Sequence, residues 1–356
     1  MRLLALLVAS AVAAPALAAS LAPSLAPSLA SAAGDVNVPV TAETARKAPE
    51  CAALFKGGAD KTKPNLWESA KQPSLKSHCE LLQRALQRID GGNFVAALDL
   101  AQKAEDLTPG HAGPFVVRGS AYARWGKPKD ALTAFEKAKG LHGRALDDAT
   151  VLDDYGSVLL RLGKIEDARR AYRALLPRVT GPTGMCGVQA TCAAASLAYL
   201  TAGVLAMEEG PTGLDEAVAT LKETRAKGDG EIKRVAALAL ALALDRRGDV
   251  DQAREIAADL VKTRGVPNEI PPEISVRFAS MEEGHAMRAI GLEVAASLAA
   301  ADGAAEAAAV AVAAWRAYLS GGGDQRVWAA HAKAHLARLE GKPKDKPKPA
   351  PGAKPK

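Results

Sequence analysis

Small residues recur along this chain at a nearly constant interval, each set carrying a large aromatic at a matching place. The clearest set is Gly119, Tyr122, Gly126, Ala131, Phe135 and Ala138. The next is Gly156, Gly163, Ala168 and Tyr172, and one interval earlier stand Gly92, Phe94, Ala97, Ala104 and Pro109. Ala97, Ala131 and Ala168 lie 34 and 37 residues apart. A period of that length with a small–aromatic–small order marks stacked helix pairs. Small side chains let two helices approach to about 8–10 Å, and the aromatics fill the space that remains. The fold class expected is therefore all-α, built by addition of units rather than around one core.

The arrangement resembles the tetratricopeptide repeat. Gly119 and Gly156 fall at the eighth position of that repeat, where the first helix presses closest to its partner, and Ala131 and Ala168 fall at the twentieth. Tyr122, Phe135 and Tyr172 are the large knobs. Gly126 and Gly163 follow the first helix, where a left-handed residue is wanted, and Pro109 stands where a second helix must stop. Weaker copies follow. Gly203, Leu214, Ala217 and Leu221 fit a fourth repeat with two extra turn residues; Ala241, Gly248, Val250, Ala253 and Ala257 fit a fifth. A sixth, over 283–319, keeps Gly303 and Ala308, and a last helix over 325–339 reads as a solvating cap. The expectation is a right-handed α-α superhelix of five to six helix pairs plus that cap, with a plain α-α superhelix lacking the regular twist as the alternative.

The resemblance implies a non-catalytic protein- or peptide-binding scaffold that uses the concave face lined by its first helices. Arg124, Arg161 and Arg246 each fall two residues before a turn glycine. Ser120, Asp153, Ser157 and Asp245 share that face by register. A row of guanidinium groups there would clamp carboxylates of a bound peptide. The plainer alternative is that a basic residue in the last turn complements the helix dipole.

Both ends read as unstructured. Arg2, an apolar run over 3–14 and Ala16-Leu17-Ala18 form a signal peptide, too short in its apolar part to span a bilayer. No cysteine stands directly after the cleavage site, so no lipid anchor is expected at the new N-terminus. The mature chain is expected in the periplasm or secreted. The expected divisions are a signal peptide over 1–18, an Ala/Ser/Pro linker over 19–45, an N-terminal extension over 46–79, the solenoid over 80–340 and a Lys/Pro tail over 341–356. The tail holds six Lys and one Asp and so carries +5 of the formal +6, which makes the basic balance a property of the tail rather than of a folded surface. That tail suits weak association with an anionic envelope polymer or membrane surface, the competing reading of what the chain does. Aromatic content of 4% leaves little for stacking on bases, so no nucleic-acid partner is expected. The uncharged stretch over 188–207 is long enough to span a membrane, but Gln189, Thr191, Ser196 and Thr201 interrupt it and Gly203 lands on the repeat, so it reads as a buried first helix.

Four cysteines in an exported chain point to disulfides. The expected pairs are Cys186 with Cys192, stapling the entry to the fourth repeat, and Cys51 with Cys79, tying the extension, with its Trp67, onto the first repeat. His331 and His335 lie four apart on one predicted helix and so share a face. That spacing can hold a metal, but Ala332 replaces the Glu of the metalloprotease helix and no third ligand is visible. They read as partly buried cap histidines beside Trp328, with no metal and no cofactor expected. No nucleophile elbow, phosphate loop or dinucleotide fingerprint is present, and the acid pairs, such as Asp153-Asp154, suit solvated helix ends. No enzymatic activity is expected.

Overall fold

The computed structural model describes residues 39–180, 192–278 and 280–341, apart from 59 and 61. The leader, residues 19–38, Cys186 and the Lys/Pro tail beyond 341 lie outside the described residues, and with them the expected Cys186–Cys192 bridge. Among the described residues every regular element is helical.

Two short helices, α1 (Ala42–Lys47) and α2 (Leu66–Lys71), precede the array. Six pairs follow: α3 (Pro73–Asp90) with α4 (Phe94–Leu107), α5 (Gly113–Arg124) with α6 (Pro128–Leu141), and α7 (Ala149–Arg161) with α8 (Ile165–Val179). Then come α9 (Cys192–Met207) with α10 (Leu214–Lys227), and α11 (Gly230–Arg247) with α12 (Val250–Arg264). After a one-turn helix, α13 (Pro272–Ser275), the last pair is α14 (Met281–Leu298) with α15 (Ala301–Ser320), and α16 (Ala329–Leu339) closes the array. Each helix packs mainly on its pair partner and on the following pair. Accordingly the buried apolar residues form three main clusters along the array, one for the first pair with the N-terminal extension, one for the second and third pairs, and one for the last three.

The repeat's spacing has a direct steric cause. A Cβ placed on Gly119 would meet the Phe135 ring at 2.5 Å, and one on Gly156 would meet the Tyr172 ring at 2.8 Å. In the fourth pair a Cβ on Gly203 would meet Leu221 at 2.7 Å. There the partner lies 18 residues on instead of 16, because Pro211–Gly213 adds a short 3-10 turn between the helices. Ala131, Ala168, Ala217 and Ala253 are buried on the facing helices, and Ala241 and Ala257 are both buried in the fifth pair. Tyr122 is half-buried against the cluster of the second and third pairs. Gly126 and Gly163 both adopt positive φ, 78° and 70°, which lets the chain turn directly into the second helix. α4 ends at Leu107, just before Pro109.

Several boundaries differ from expectation. Residue 45 falls inside α1, which starts early because the Thr41 hydroxyl accepts the N–H of Thr44 and both threonines reach Gln83 on α3. The first pair begins at Pro73, not at residue 80, since proline suits a helix's first turn. Trp67 does not pack on the first repeat: α2 turns Leu66 and Trp67 outward, at 85% and 76% exposed. In the sixth pair Gly303 is not a tight contact, because it sits in the first turn of α15 with open space around it. The close approach there belongs to Gly291, where a Cβ would meet Leu238 of the preceding pair at 2.7 Å.

Cys51 and Cys79 form the expected disulfide, tying the extension to α3. Closing 28 residues contributes about 3–4 kcal/mol on a chain-entropy account. The junction of third and fourth pairs is held by arginines: Arg169, buried, donates from Nε to the Leu205 carbonyl at 3.2 Å, and Arg173 pairs with Glu209 and Glu216 at 2.9 and 2.6 Å. No described helix is long and apolar enough to cross a membrane.

Candidate functional site

The residues expected to line a groove sit on α5, α7 and α11. Their surroundings divide them into two groups.

Arg124 and Arg161 remain exposed at the ends of α5 and α7. Arg124 bridges neighbouring first helices, with Nη1 3.0 Å from Asp90 and Nε 3.4 Å from Asp154. Burial works against its charge, but the two carboxylates outweigh that and raise its pKa. On Asp154 the balance is reversed: burial raises the carboxyl's pKa in spite of Arg124 and a hydrogen bond from Ser120. Ser120 is therefore buried beneath this pair rather than presented to solvent. Arg161 donates from Nη1 to the Ala123 carbonyl at 3.1 Å, so it satisfies an end carbonyl of the preceding first helix. Ser157 is half-buried on α7.

Asp153, Asp245 and Arg246 are taken up by C-terminal parts of the same chain. Arg277, just after α13, places Nη1 2.6 Å from Asp153 and 3.2 Å from the Tyr172 hydroxyl. Between them, burial of the phenol, reinforced by Asp153, pushes the Tyr172 pKa above the ordinary tyrosine range. Arg246 lines no open groove. Its side chain is wholly buried, with Nη1 2.8 Å from Glu283 Oε2 and its guanidinium carbon 5.0 Å from the Trp328 ring centre. Trp328 itself donates from Nε1 to the Met207 carbonyl at 2.9 Å. Asp245 receives both His331 and His335 from α16. The closing helix is thus no solvating cap; it lies against the first helices of the last three pairs, and α11 is buried without a break from Val235 to Arg246.

The other end is covered as well. Glu50 Oε1 accepts the Gly113 N–H at 2.9 Å and lies 3.1 Å from His78 Nε2, while Arg46 pairs with Asp148 at 3.4 Å. A Cβ on Gly113 would strike Glu50 at 2.3 Å and Ala48 at 2.7 Å, so the extension is seated directly on the start of α5. Beside it a cleft of about 420 Å³ opens between Arg46, Pro49, His142 and Asp147.

Glu50, Arg277, Glu283 and Trp328 were all missed as site residues. They lie outside the repeat's recurring positions, and the contacts of Arg277 and Trp328 span 124 and 121 residues. No periodicity signals a pairing of that kind.

No family model matches the sequence, and no curated protein matches it. Among solved structures it is similar to the C-terminal part of a TPR repeat-containing protein from Cytophaga hutchinsonii, at 14% identity and a TM-score of 0.41, over 74% of this chain and 96% of that one. It is also similar to a tetratricopeptide repeat protein from Parabacteroides merdae, at 17% identity and a TM-score of 0.39, over 74% of this chain and 99% of that one. The contacts of Gly119 with Phe135, Gly156 with Tyr172 and Gly203 with Leu221 make the fold an all-α stack of closely packed helix pairs.

Proposed function

We propose that this chain is a non-catalytic scaffold that binds another protein or a peptide through the first helices of its N-terminal half, and that it works in the periplasm or after secretion. One observation supports the binding reading most. Arg124 and Arg161 stay exposed one repeat apart, each partly engaged within the chain, by Asp90 and Asp154 and by the Ala123 carbonyl, while the corresponding Arg246 is wholly buried in an internal ion pair. Exposed guanidinium edges on neighbouring first helices suit a partner segment carrying carboxylates. The Cys51–Cys79 bridge supports an oxidising location, since such bonds persist outside the cytoplasm.

The test is capture from an envelope extract with the full chain. A partner of this site is retained by the wild-type chain, weakened as salt rises, and lost on Arg124→Ala/Arg161→Ala. Equal retention by the double variant at low and high salt would sink the reading.

The charge distribution favours one second reading, a structural envelope component held by its tail. Six lysines over 341–356 suit anionic polymers or head groups. Deleting 341–356 and fractionating the envelope separates the two: unchanged distribution leaves the tail without that role.

A further inference from the structure

The imidazoles of His331 and His335 converge on one carboxylate oxygen. His331 Nε2 lies 2.6 Å and His335 Nε2 lies 2.8 Å from Asp245 Oδ2. The histidines come from adjacent turns of α16 and the aspartate from the last turn of α11, 86 residues earlier than His331. All three donor atoms lie within 4.8 Å of one another. The third ligand that the sequence spacing lacks is thus supplied by the fold.

The surroundings are those of a ligand set rather than of a lone hydrogen bond. His335 turns its other nitrogen, Nδ1, to Glu293 Oε1 at 2.7 Å. Glu293 is in turn held by the Trp315 indole N–H and by Arg338, whose Nη2 lies 2.5 Å from Oε2. A ring nitrogen fixed by a buried carboxylate is how metal-ligating histidines are oriented and made more basic. Arg338 Nη2 also lies 2.7 Å from that Nδ1. In the tautomer with the Nδ1 proton directed to Glu293, His335 turns the Nε2 lone pair toward Asp245, and a metal cation can take the place a proton otherwise holds between those two atoms. The Trp315 ring, centred 4.9 Å from His335 and 6.0 Å from His331, walls the cluster on one side. On another, Asp245 and Glu293 border a cavity of about 340 Å³ whose other walls include Ile290 and Val294 together with Arg254 and Arg338.

We propose that Asp245, His331 and His335 form a binding site for a first-row divalent cation of the zinc type, with Glu293 as the orienting carboxylate of His335. Two imidazoles and one carboxylate suit such an ion, which takes a solvent molecule as its fourth ligand. Zn–N and Zn–O bonds of about 2.0–2.2 Å in a tetrahedron set ligand atoms about 3.3 Å apart, so Asp245 has to withdraw from the rings by about 0.5–0.7 Å. The ion then pins α16 onto α11 and makes closure of the C-terminal end depend on metal. This inference stands independently of which partner the N-terminal half binds.

The experiment uses the full chain, stripped with a chelator and titrated with Zn²⁺ by calorimetry and with Co²⁺ by visible absorption. The expected result is one Zn²⁺ per chain, tetrahedral Co²⁺ bands, and a rise in melting temperature on adding Zn²⁺. His331→Ala and Asp245→Asn are expected to abolish all three signals, and Glu293→Gln to weaken the affinity by about 10–100-fold. His331 is the more exposed of the two rings, so its variant carries the test should Asp245→Asn fail to fold. Absence of stoichiometric binding, or binding and thermal shift that survive His331→Ala unchanged, would overturn the proposal.

Discussion

Arg246 and Glu283 form a fully buried ion pair between the first helices of the fifth and sixth pairs, Nη1 to Oε2 at 2.8 Å and Nη2 to Oε1 at 3.3 Å, with side chains 0% and 1% exposed. The second contact gives the guanidinium its fork geometry, and the Trp328 ring covers it. A groove-lining residue by sequence register has become part of the interior.

Removing one member leaves a charge without a partner in a place water does not reach. Arg246→Ala is therefore expected to cost about 3–5 kcal/mol in chemical denaturation. Arg170→Ala, which breaks the exposed pair with Asp167, should cost no more than about 1 kcal/mol. Replacing both members, as Arg246→Met/Glu283→Leu, should recover most of the loss, because neither charge is then stranded. A double variant as unstable as the single one would mean the pair contributes more than charge balance.

Glu208 stands close to this pair and is itself buried. Burial, reinforced by the neighbouring Glu283 carboxylate, pushes its pKa up to about 8, against the pull of Arg326 and Arg246. One of its oxygens has no hydrogen-bond partner, and the nearest cation, Arg326, is 3.9 Å away. The folded chain thus binds this proton more tightly than the unfolded chain. Its contribution to stability is fully present below the ordinary glutamate range and is lost as pH rises through about 8. Melts of wild type and Glu208→Gln compared across that window are expected to show the variant gaining on the wild type as pH increases. A constant difference would place Glu208 ionised throughout.

Two glycines test the packing argument with opposite signs. Gly119→Ala should destabilise by about 1–3 kcal/mol, since its new Cβ meets the Phe135 ring at 2.5 Å and the helices have to shift to admit it. Gly303→Ala should leave stability unchanged or raise it by up to about 1 kcal/mol, since nothing lies within 4 Å and alanine is the better helix former. Both follow from thermal or urea unfolding midpoints. Loss of stability at Gly303 of the size seen at Gly119 would mean that helix propensity and space are not what separates them.

How far the fold was legible depended on whether a contact recurs. Gly119, Gly156 and Gly203 solve the same steric problem in successive units, so their spacing stands out, and it located five of the six pairs. Even the longer offset from Gly203 to Leu221 follows from the extra residues of the Pro211–Gly213 turn. The sixth pair was read only roughly, because its close contact is made by Gly291 against the preceding pair rather than against its own partner. For the site, Arg124 and Arg161 lie exposed on first helices as their register implies, but Ser120 is buried and Asp153 is paired with Arg277.

By itself the sequence determined that this chain stacks helix pairs and which small residues make the closest approaches, because such contacts join residues within one repeat and their cost is set by atomic size. Only the tertiary structure decided which faces stay open. Glu50 and Trp328 reach across the array to cover first helices, and His331 meets Asp245 there. Contacts of that kind occur once, span many repeats, and depend on where folding carries the two ends of the array, so no period in the sequence records them.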